Sequence, residues 1–328
     1  LKEKVLKLLK KHKDEFVSGQ EISEQLEVSR TAIWKYINAL KEEGYEIKSV
    51  SRKGYMLIST PDILNYEEVS EYLYTHYIGK EIFYFDSIDS TNVKAKELAI
   101  NDGTDGVVVI AEEQTKGRGR LGRSWVSPNK KGIWMSIILK PQIDPQDAVK
   151  ITQVTAAAIW KAMKQIGVSP QIKWPNDIVI NGKKVCGILT EMSGELNRLN
   201  HLVVGIGINA NTNIGEFPEE IRDKATSLKV EVGQDVDRKK LVGLILNNFE
   251  DLYNKLVEDR SIEEAIRICK ENSAILGKDV RIIIKGEEKE AKAIDINAEG
   301  ELIVQDKSGS ISKIISGEVS VRGLYGYI

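Results

Sequence analysis

Three glycines and three arginines are packed into Gly117-Arg118-Gly119-Arg120-Leu121-Gly122-Arg123-Ser124-Trp125. Glycine lets the backbone approach a ligand closely and adopt φ > 0. Arginine supplies planar, permanently charged donors suited to carboxylate and phosphate oxygens. The closing tryptophan offers a flat face to an aromatic ring. Together they predict a mobile cationic loop that closes over an anionic, partly aromatic ligand. Taken alone, the same residues also fit a solvated basic loop or one that meets nucleic acid, because short motifs recur by chance.

Two further stretches narrow the choice. Lys173-Trp174-Pro175-Asn176-Asp177 is followed by Lys183-Lys184-Val185-Cys186-Gly187-Ile188-Leu189, and Gly205-Ile206-Gly207-Ile208-Asn209 comes later. Pro175 fixes the backbone in the first of these. Asn176 and Asp177 offer oxygen ligands for Mg²⁺. A lysine beside that carboxylate is worth little if the pair is an exposed salt bridge. Glycines at alternate strand positions leave one face bare, open to a ligand or to tight sheet packing. The Gly/Arg loop, KWPND and GIGIN, in this order and at this separation, resemble the biotin–protein ligases, the biotin–[acetyl-CoA-carboxylase] ligase family. With the N-terminal segment described below, the chain looks like the bifunctional members that also repress the biotin operon. The resemblance spans essentially the whole sequence.

The resemblance implies a site. Ser90, Thr91, Asn92 and Gln114 would contact biotin, with Arg118, Gly119 and Arg120 from the loop. Trp125 would pack on adenine, and Arg120, Arg123, Asn176 and Asn209 would face ATP or the adenylate. Of the adjacent Lys183 and Lys184, the family spacing to Gly187 selects Lys184 as catalytic, with Arg118, Arg120 and Asp177. The implied chemistry has two steps. Biotin and ATP, with Mg²⁺, give biotinyl-5′-AMP and pyrophosphate, and a lysine of the biotin carboxyl carrier protein then takes the biotin. Two anions must meet in the first step, so positioning and charge neutralisation carry most of the catalysis. Asp177 is a candidate to help deprotonate the acceptor lysine. An acyl-adenylate is lost to water unless the loop shelters it. Biotinyl-5′-AMP would also favour a homodimer, which grips a two-fold operator more tightly.

The elements that position these residues can be read in outline. The sequence has 328 residues, enough for two or three domains. No apolar run is long enough to span a bilayer and no secretory leader opens the chain, so the expected location is cytoplasmic. Cys186 and Cys269 stand without a Cys/His cluster, which fits a reducing compartment and argues against structural zinc. Cys186 reads as a small core residue rather than a nucleophile. The net charge is −2, yet residues 1–60 carry twelve basic against nine acidic residues, so DNA contact is expected there alone.

The expected fold is α+β and multidomain: a winged helix-turn-helix over 1–62, a mixed α/β ligase domain of class II synthetase type over 63–272, and an SH3-like β-barrel over 273–328. In the first segment Leu1, Val5, Leu8, Leu9 and His12 follow helical spacing. Ser18 to Glu21 matches a capping box, and Ser29 caps a third helix that stops near Gly44. Ser29, Arg30, Thr31, Trp34 and Lys35 of that helix, with Arg52 and Lys53 at a hairpin tip, are the candidate DNA contacts. Trp34 fits either the DNA backbone or the small core, and the whole segment could equally serve protein interaction. In the ligase segment Ser90-Thr91-Asn92 sits at a helix start, where capping alone would explain it. Trp134 fits a pocket wall or plain core, and Asn181-Gly182 signals a type I′ hairpin. Short β runs from 280 to 315, separated by Gly286, Asn297 to Gly300 and Ser308-Gly309, suggest the barrel, with no catalytic residue among them. Rival readings are a ligase whose winged helix no longer reads DNA, a biotin-responsive regulator with a dead site, and a lipoate ligase.

Overall fold

The computed structural model describes residues 1–101, 104–195, 198–284, 287–315, 319–323 and 327–328. The turn expected at Gly286 lies outside them. The chain forms two compact units, Leu1–Ile63 and Leu64–Ile328.

In the first unit α1 (Lys2–Lys11), α2 (Gly19–Leu26) and α3 (Arg30–Glu42) precede the antiparallel strands β1 (Glu46–Val50) and β2 (Gly54–Ser59). Ser18 Oγ accepts the amide of Glu21, and Ser29 Oγ accepts that of Ala32, so both expected caps form. Gly44 follows α3 at φ +95°, a conformation in which a side chain would be strained. The core face of α1 is Val5, Leu6 and Leu9; Leu1 is exposed and Leu8 only packs at the edge. That shift makes the apolar stripe follow i, i+1, i+4, the spacing of one helical face. Trp34 is 57% exposed, so it does not finish the core, which Ile22, Ile33, Ile37 and Leu40 close without it. Ser29, Arg30, Thr31, Lys35, Arg52 and Lys53 are exposed as well.

The second unit opens with the short helix α4 (Tyr66–Val69). Its sheet takes β3 (Ile82–Phe85), β4 (Val108–Ala111), β5 (Ile133–Leu139), β6 (Gln171–Lys173), β7 (Asp177–Ile180), β8 (Lys183–Glu195) and β9 (Arg198–Ile208). Among the described residues the strand order is β3-β4-β5-β9-β8-β7-β6, parallel only between β3 and β4. Asn181 and Gly182 join β7 to β8 with φ of +49° and +77°, as a type I′ turn requires. The helix α5 (Thr91–Ala99) covers one face with Ala95 and Ala99 against Val109, Ile138 and Val203. The other face carries α6 (Lys150–Gln165), α9 (Arg238–Glu258) and α10 (Glu263–Glu271), with the short α7 (Glu219–Arg222) and α8 (Leu228–Val232) in the chain before α9. Cys186 and Cys269 are buried, and burial pushes the Cys269 thiol up to about 12, as expected of core residues.

Residues from 273 onward build an antiparallel sheet of β10 (Asp279–Ile284), β11 (Glu287–Ile296), β12 (Leu302–Gln305), β13 (Ile311–Ile314) and β14 (Val319–Gly323). The strand β14 lay beyond the expected runs. This sheet shares one continuous apolar core with α6 and α10, and Trp174 Nε1 donates to the Gly300 carbonyl at 3.0 Å. The KWPND turn is thus tied directly to the C-terminal sheet.

Among the described residues, one ion pair of this unit is completely buried on both sides. Arg238 and Glu112 have side chains with no exposure and meet at 2.7 Å. Glu112 also accepts the Leu64 amide at 3.0 Å, and Arg238 donates to the Gly132 carbonyl at 2.9 Å. Removing one member strands a charge, which costs far more than the pair itself contributes. Arg238→Met is therefore expected to lower the stability of this unit by about 3–5 kcal/mol, read by urea denaturation; a loss below about 1 kcal/mol would contradict the burial.

Candidate active site

Strand register builds the floor of the site. Trp134, Gly207 and Gly187 form one row across β5, β9 and β8; Ser136, Gly205 and Leu189 form the next; Ile138, Val203 and Glu191 the third. Alternation with period two turns all of these to one face. Where a row carries glycine, another group can lie on the sheet. A Cβ on Gly207 would stand 2.6 Å from Trp125 Nε1, and one on Gly205 would stand 2.1 Å from Asn92 Oδ1. The bare glycine face therefore holds side chains from the Gly/Arg loop and from α5.

Asn92 anchors the first end of the pocket. Its Nδ2 donates to the Leu189 carbonyl at 3.3 Å and to Glu191 at 2.8 Å, and Lys96 meets the same carboxylate at 2.8 Å. Burial opposes the charge on Glu191, but the bonds from Lys96 and Asn92 prevail and hold its carboxyl below the usual range. Ser136 Oγ lies 2.6 Å from Asn92 Oδ1 and 2.8 Å from Thr91 Oγ1. Gln114 Oε1 accepts the Thr91 amide at 2.9 Å, while its Nε2 donates to Ser127 at 2.9 Å. Ser90 sits at the N-cap position without a side-chain cap bond, so capping does not account for it.

The Gly/Arg loop is a hydrogen-bonded hairpin. Trp125 N donates to Gly117 O at 2.9 Å, and Gly119 N donates to Arg123 O at 2.7 Å. Leu121 and Gly122 turn it at φ +57° and +72°. Arg120 reaches across to Asn176 Oδ1 at 2.7 Å. Trp125 meets Trp134 edge to face at 6.5 Å, and its Nε1 has no hydrogen-bond partner among the described residues. Trp134 is fully buried behind Trp125 and does not line the cavity, so it belongs to the core.

The lysine end depends on a bulge. Between β7 and β8 the register slips, so Val179 pairs with Lys184 while Ile178 pairs with Cys186. Lys184 and Gly187 are three residues apart and would face opposite ways in a regular strand; the bulge brings both to the pocket. Lys184 Nζ meets Asp177 at 2.6 Å and lies 5.0 Å from the Trp125 ring centroid. Burial alone would raise the Asp177 carboxyl, but the Lys184 ammonium and the bonds from Lys184 and Tyr327 outweigh it and hold it below its ordinary value.

An open cavity lies among these groups. Ser90, Thr91, Asn92, Gln114, Arg118, Gly119, Arg120, Trp125, Asn176 and Lys184 line it together. Three expected residues are outside the lining. Asp177 stands behind Lys184, Arg123 is exposed on the hairpin, and Asn209 binds the Thr226 carbonyl at 3.0 Å, tying the end of β9 to a loop. Asn176 Oδ1 accepts from Arg120, and the Asp177 carboxylate is held by Lys184 and Tyr327. Among the described residues no group of three acidic, His or Cys side chains could hold a metal.

The sequence reading missed Ser136, Glu191, Lys96, Lys173 and Tyr327. Ser136 did leave a signal, a hydroxyl inside the apolar run 133–139. Tyr327, from the C-terminal segment, donates its hydroxyl to Asp177, so that segment does reach the site.

Three family profiles match the chain: "HTH domain" over residues 2–56, "Biotin/lipoate A/B protein ligase family" over 84–209 and "Biotin protein ligase C terminal domain" over 275–322. The bifunctional ligase/repressor BirA of Bacillus subtilis (strain 168) is 39% identical over 323 residues, covering 98% of both chains. The chain belongs to the bifunctional ligase/repressor family of biotin–protein ligases. The Escherichia coli (strain K12) member is 28% identical over 94% of both chains. A solved biotin protein ligase from Aquifex aeolicus, in complex with biotin and ATP, superposes with a TM-score of 0.65 at 31% identity, covering 74% of this chain and 99% of that one. No helix among the described residues of this family member is long and apolar enough to cross a membrane.

One ionisable group of this ligase-family site titrates near neutrality. Lys173 is 3% exposed, and burial pulls its ammonium down to about 8 despite the nearby Asp177. The folded chain then gives up this proton near pH 8, whereas the unfolded chain keeps it to about 10.5, so stability from this position rises with pH between the two values. Relative to Lys173→Met, the parent is expected to gain up to about 3 kcal/mol between pH 7 and about pH 11. Denaturation curves of both proteins at a series of pH values check this; a constant difference would rule it out.

Proposed function

We propose that this protein is an ATP-dependent biotin–protein ligase that also represses transcription with its own intermediate as corepressor. The observation that carries the ligase reading is a pocket with two unlike ends. One end is a polar cluster of Ser90, Thr91, Asn92 and Gln114; the other is cationic, with Arg120 beside Asn176 and Lys184 beside the Trp125 ring, and Arg118 also lines the cavity. Biotin carries a cyclic urea at one end and a carboxylate at the other, and matches that order. The dithiolane of lipoate offers no hydrogen-bonding group, so it could not replace the bonds this cluster makes within itself, whereas the urea of biotin can. The lipoate reading is therefore the weaker one.

In the first step a biotin carboxylate oxygen attacks the α-phosphorus of ATP. The new O–P bond forms as the bond to the pyrophosphate oxygen breaks. Arg118, Arg120 and Lys184 bring the two anions together, and no covalent enzyme intermediate is needed. Mg²⁺ would arrive with the triphosphate and would neutralise part of its charge, with Asn176 and Asp177 as the nearest oxygen donors from the expected set. Trp125, lying over Gly207 and Gly187, is placed to meet the adenine. Arg123 can join from the hairpin when the nucleotide is present. In the second step the amine of the carrier-protein lysine attacks the acyl carbon and AMP leaves. Asp177 is tied to Lys184 and Tyr327 behind the pocket, so we assign it to orienting Lys184 rather than to deprotonating the acceptor.

We keep three functional segments: 1–62 for operator DNA, 63–272 for ligation on a class II synthetase-like fold, and 273–328 as an SH3-like barrel. The exposed Arg30, Thr31, Trp34 and Lys35 on α3, with Arg52 and Lys53 on the β1–β2 turn, support the DNA reading. ATP and the carrier protein place the work in the cytoplasm. Biotinyl-5′-AMP then favours the homodimer, and the dimer the two-fold operator.

The ligase reading is tested by biotin-dependent exchange between ATP and pyrophosphate, followed by labelling of a carrier domain. Both should require biotin, and lipoate should support neither. Absence of exchange with a folded protein would end the reading. For the repressor half, sedimentation should give a heavier species with biotinyl-5′-AMP than without it; equal masses would leave a ligase whose N-terminal unit has another use.

A further inference from the structure

Behind the pocket wall four side chains meet that the sequence keeps far apart. Lys184 Nζ pairs with Asp177 Oδ1 at 2.6 Å. Tyr327 donates its hydroxyl to Asp177 Oδ2. The Lys173 ammonium stands 3.4 Å from the centroid of the Tyr327 ring. Of these four, Lys184 is the one that lines the cavity.

The arrangement has one carboxylate and two ammonium groups that compete for it, Lys173 buried and Lys184 facing the cavity. A carboxylate left free to turn would be drawn toward either. The Tyr327 hydroxyl occupies one oxygen and leaves the other to Lys184. The ring face meanwhile accepts the Lys173 charge through its quadrupole. Burial and the neighbouring Asp177 push the phenol well above its ordinary value, so it remains a donor at any working pH. Arg322 and Arg123 add positive charge nearby, which makes the single carboxylate the hinge of the cluster.

We infer that Tyr327 is a positioning residue for adenylate formation: its hydroxyl orients Asp177, and through it holds the Lys184 ammonium where the biotin carboxylate and the α-phosphate meet. This rests on the ligase reading above. It gives the C-terminal segment a share in the chemistry, beyond packing against the ligase sheet. A group that only packed there would act through its ring and would not depend on the charge of Asp177.

The test is a double-mutant cycle on the full chain. Tyr327→Phe keeps the ring and its contact with Lys173 and removes the hydroxyl alone. Its kcat for biotin-dependent ATP–pyrophosphate exchange should fall about tenfold, with the KM for biotin within about twofold of the parent. Rates are taken per active site from the size of a single-turnover adenylate burst, so a partly folded preparation does not distort them. In an Asp177→Asn background the same change should cost less than about twofold, because no carboxylate remains to be oriented. A kcat for Tyr327→Phe equal to the parent's, or an equal loss in both backgrounds, would overturn the inference. If the unaltered protein showed no exchange at all, the ligase reading would fall first and take this inference with it.

Discussion

A β-sheet can present a smooth face to a ligand only where its side chains stop at Cα. Two neighbouring strands meet that condition here because their register aligns Gly187 with Gly207 and places Gly205 one row on. Every other feature of the pocket is fitted to those rows. Asn92 rests on the second row and gathers the polar end; Trp125 rests on the first and brings the Gly/Arg hairpin with it. A shift of one residue in β9 would turn Ile206 and Ile208 to this face and close the floor. The sheet's helical cover on the opposite face, α6, α9 and α10, fixes that register by burying the alternate residues.

Charge is organised on this floor with the same economy. The two ends of the pocket differ in kind. At one, neutral donors and acceptors satisfy one another through Ser136, Thr91, Gln114 and Ser127, so a ligand must replace bonds already made. At the other, Arg120 and Lys184 are held by Asn176 and Asp177, ready for a partner with more charge. A pocket preorganised in this way spends little on rearrangement when two anions arrive. The fully buried Arg238–Glu112 pair lies two residues upstream of Gln114 and also grips the amide of Leu64, the first residue of the ligase unit. It fastens the start of that unit to the strand leading into the polar end.

The C-terminal sheet is part of this arrangement. It shares the core of the ligase unit, and the C-terminal segment contacts the KWPND turn through Gly300 on Trp174 and through Tyr327 on Asp177 and Lys173. The turn therefore has cavity-lining groups on one side and the C-terminal segment on the other.

Much of this was legible in the order of residues. Helix caps at Ser18 and Ser29, the Asn181-Gly182 turn and the strands around Val108 and Ile133 were set by local chemistry, and ten of the pocket's lining residues came from the resemblance to the biotin–protein ligases. Tertiary structure alone decided the rest, because it depends on register and on approach across long stretches of chain. The β8 bulge, not the residue count, turns Lys184 to the same side as Gly187. Ser136 and Glu191 join Asn92 only because β5, β9 and β8 align, and Tyr327 reaches Asp177 across 150 residues that no periodicity relates. Trp34 was undecided in sequence because an exposed tryptophan and a core tryptophan obey the same helical spacing; the packing of Ile22, Ile33, Ile37 and Leu40 left it outside.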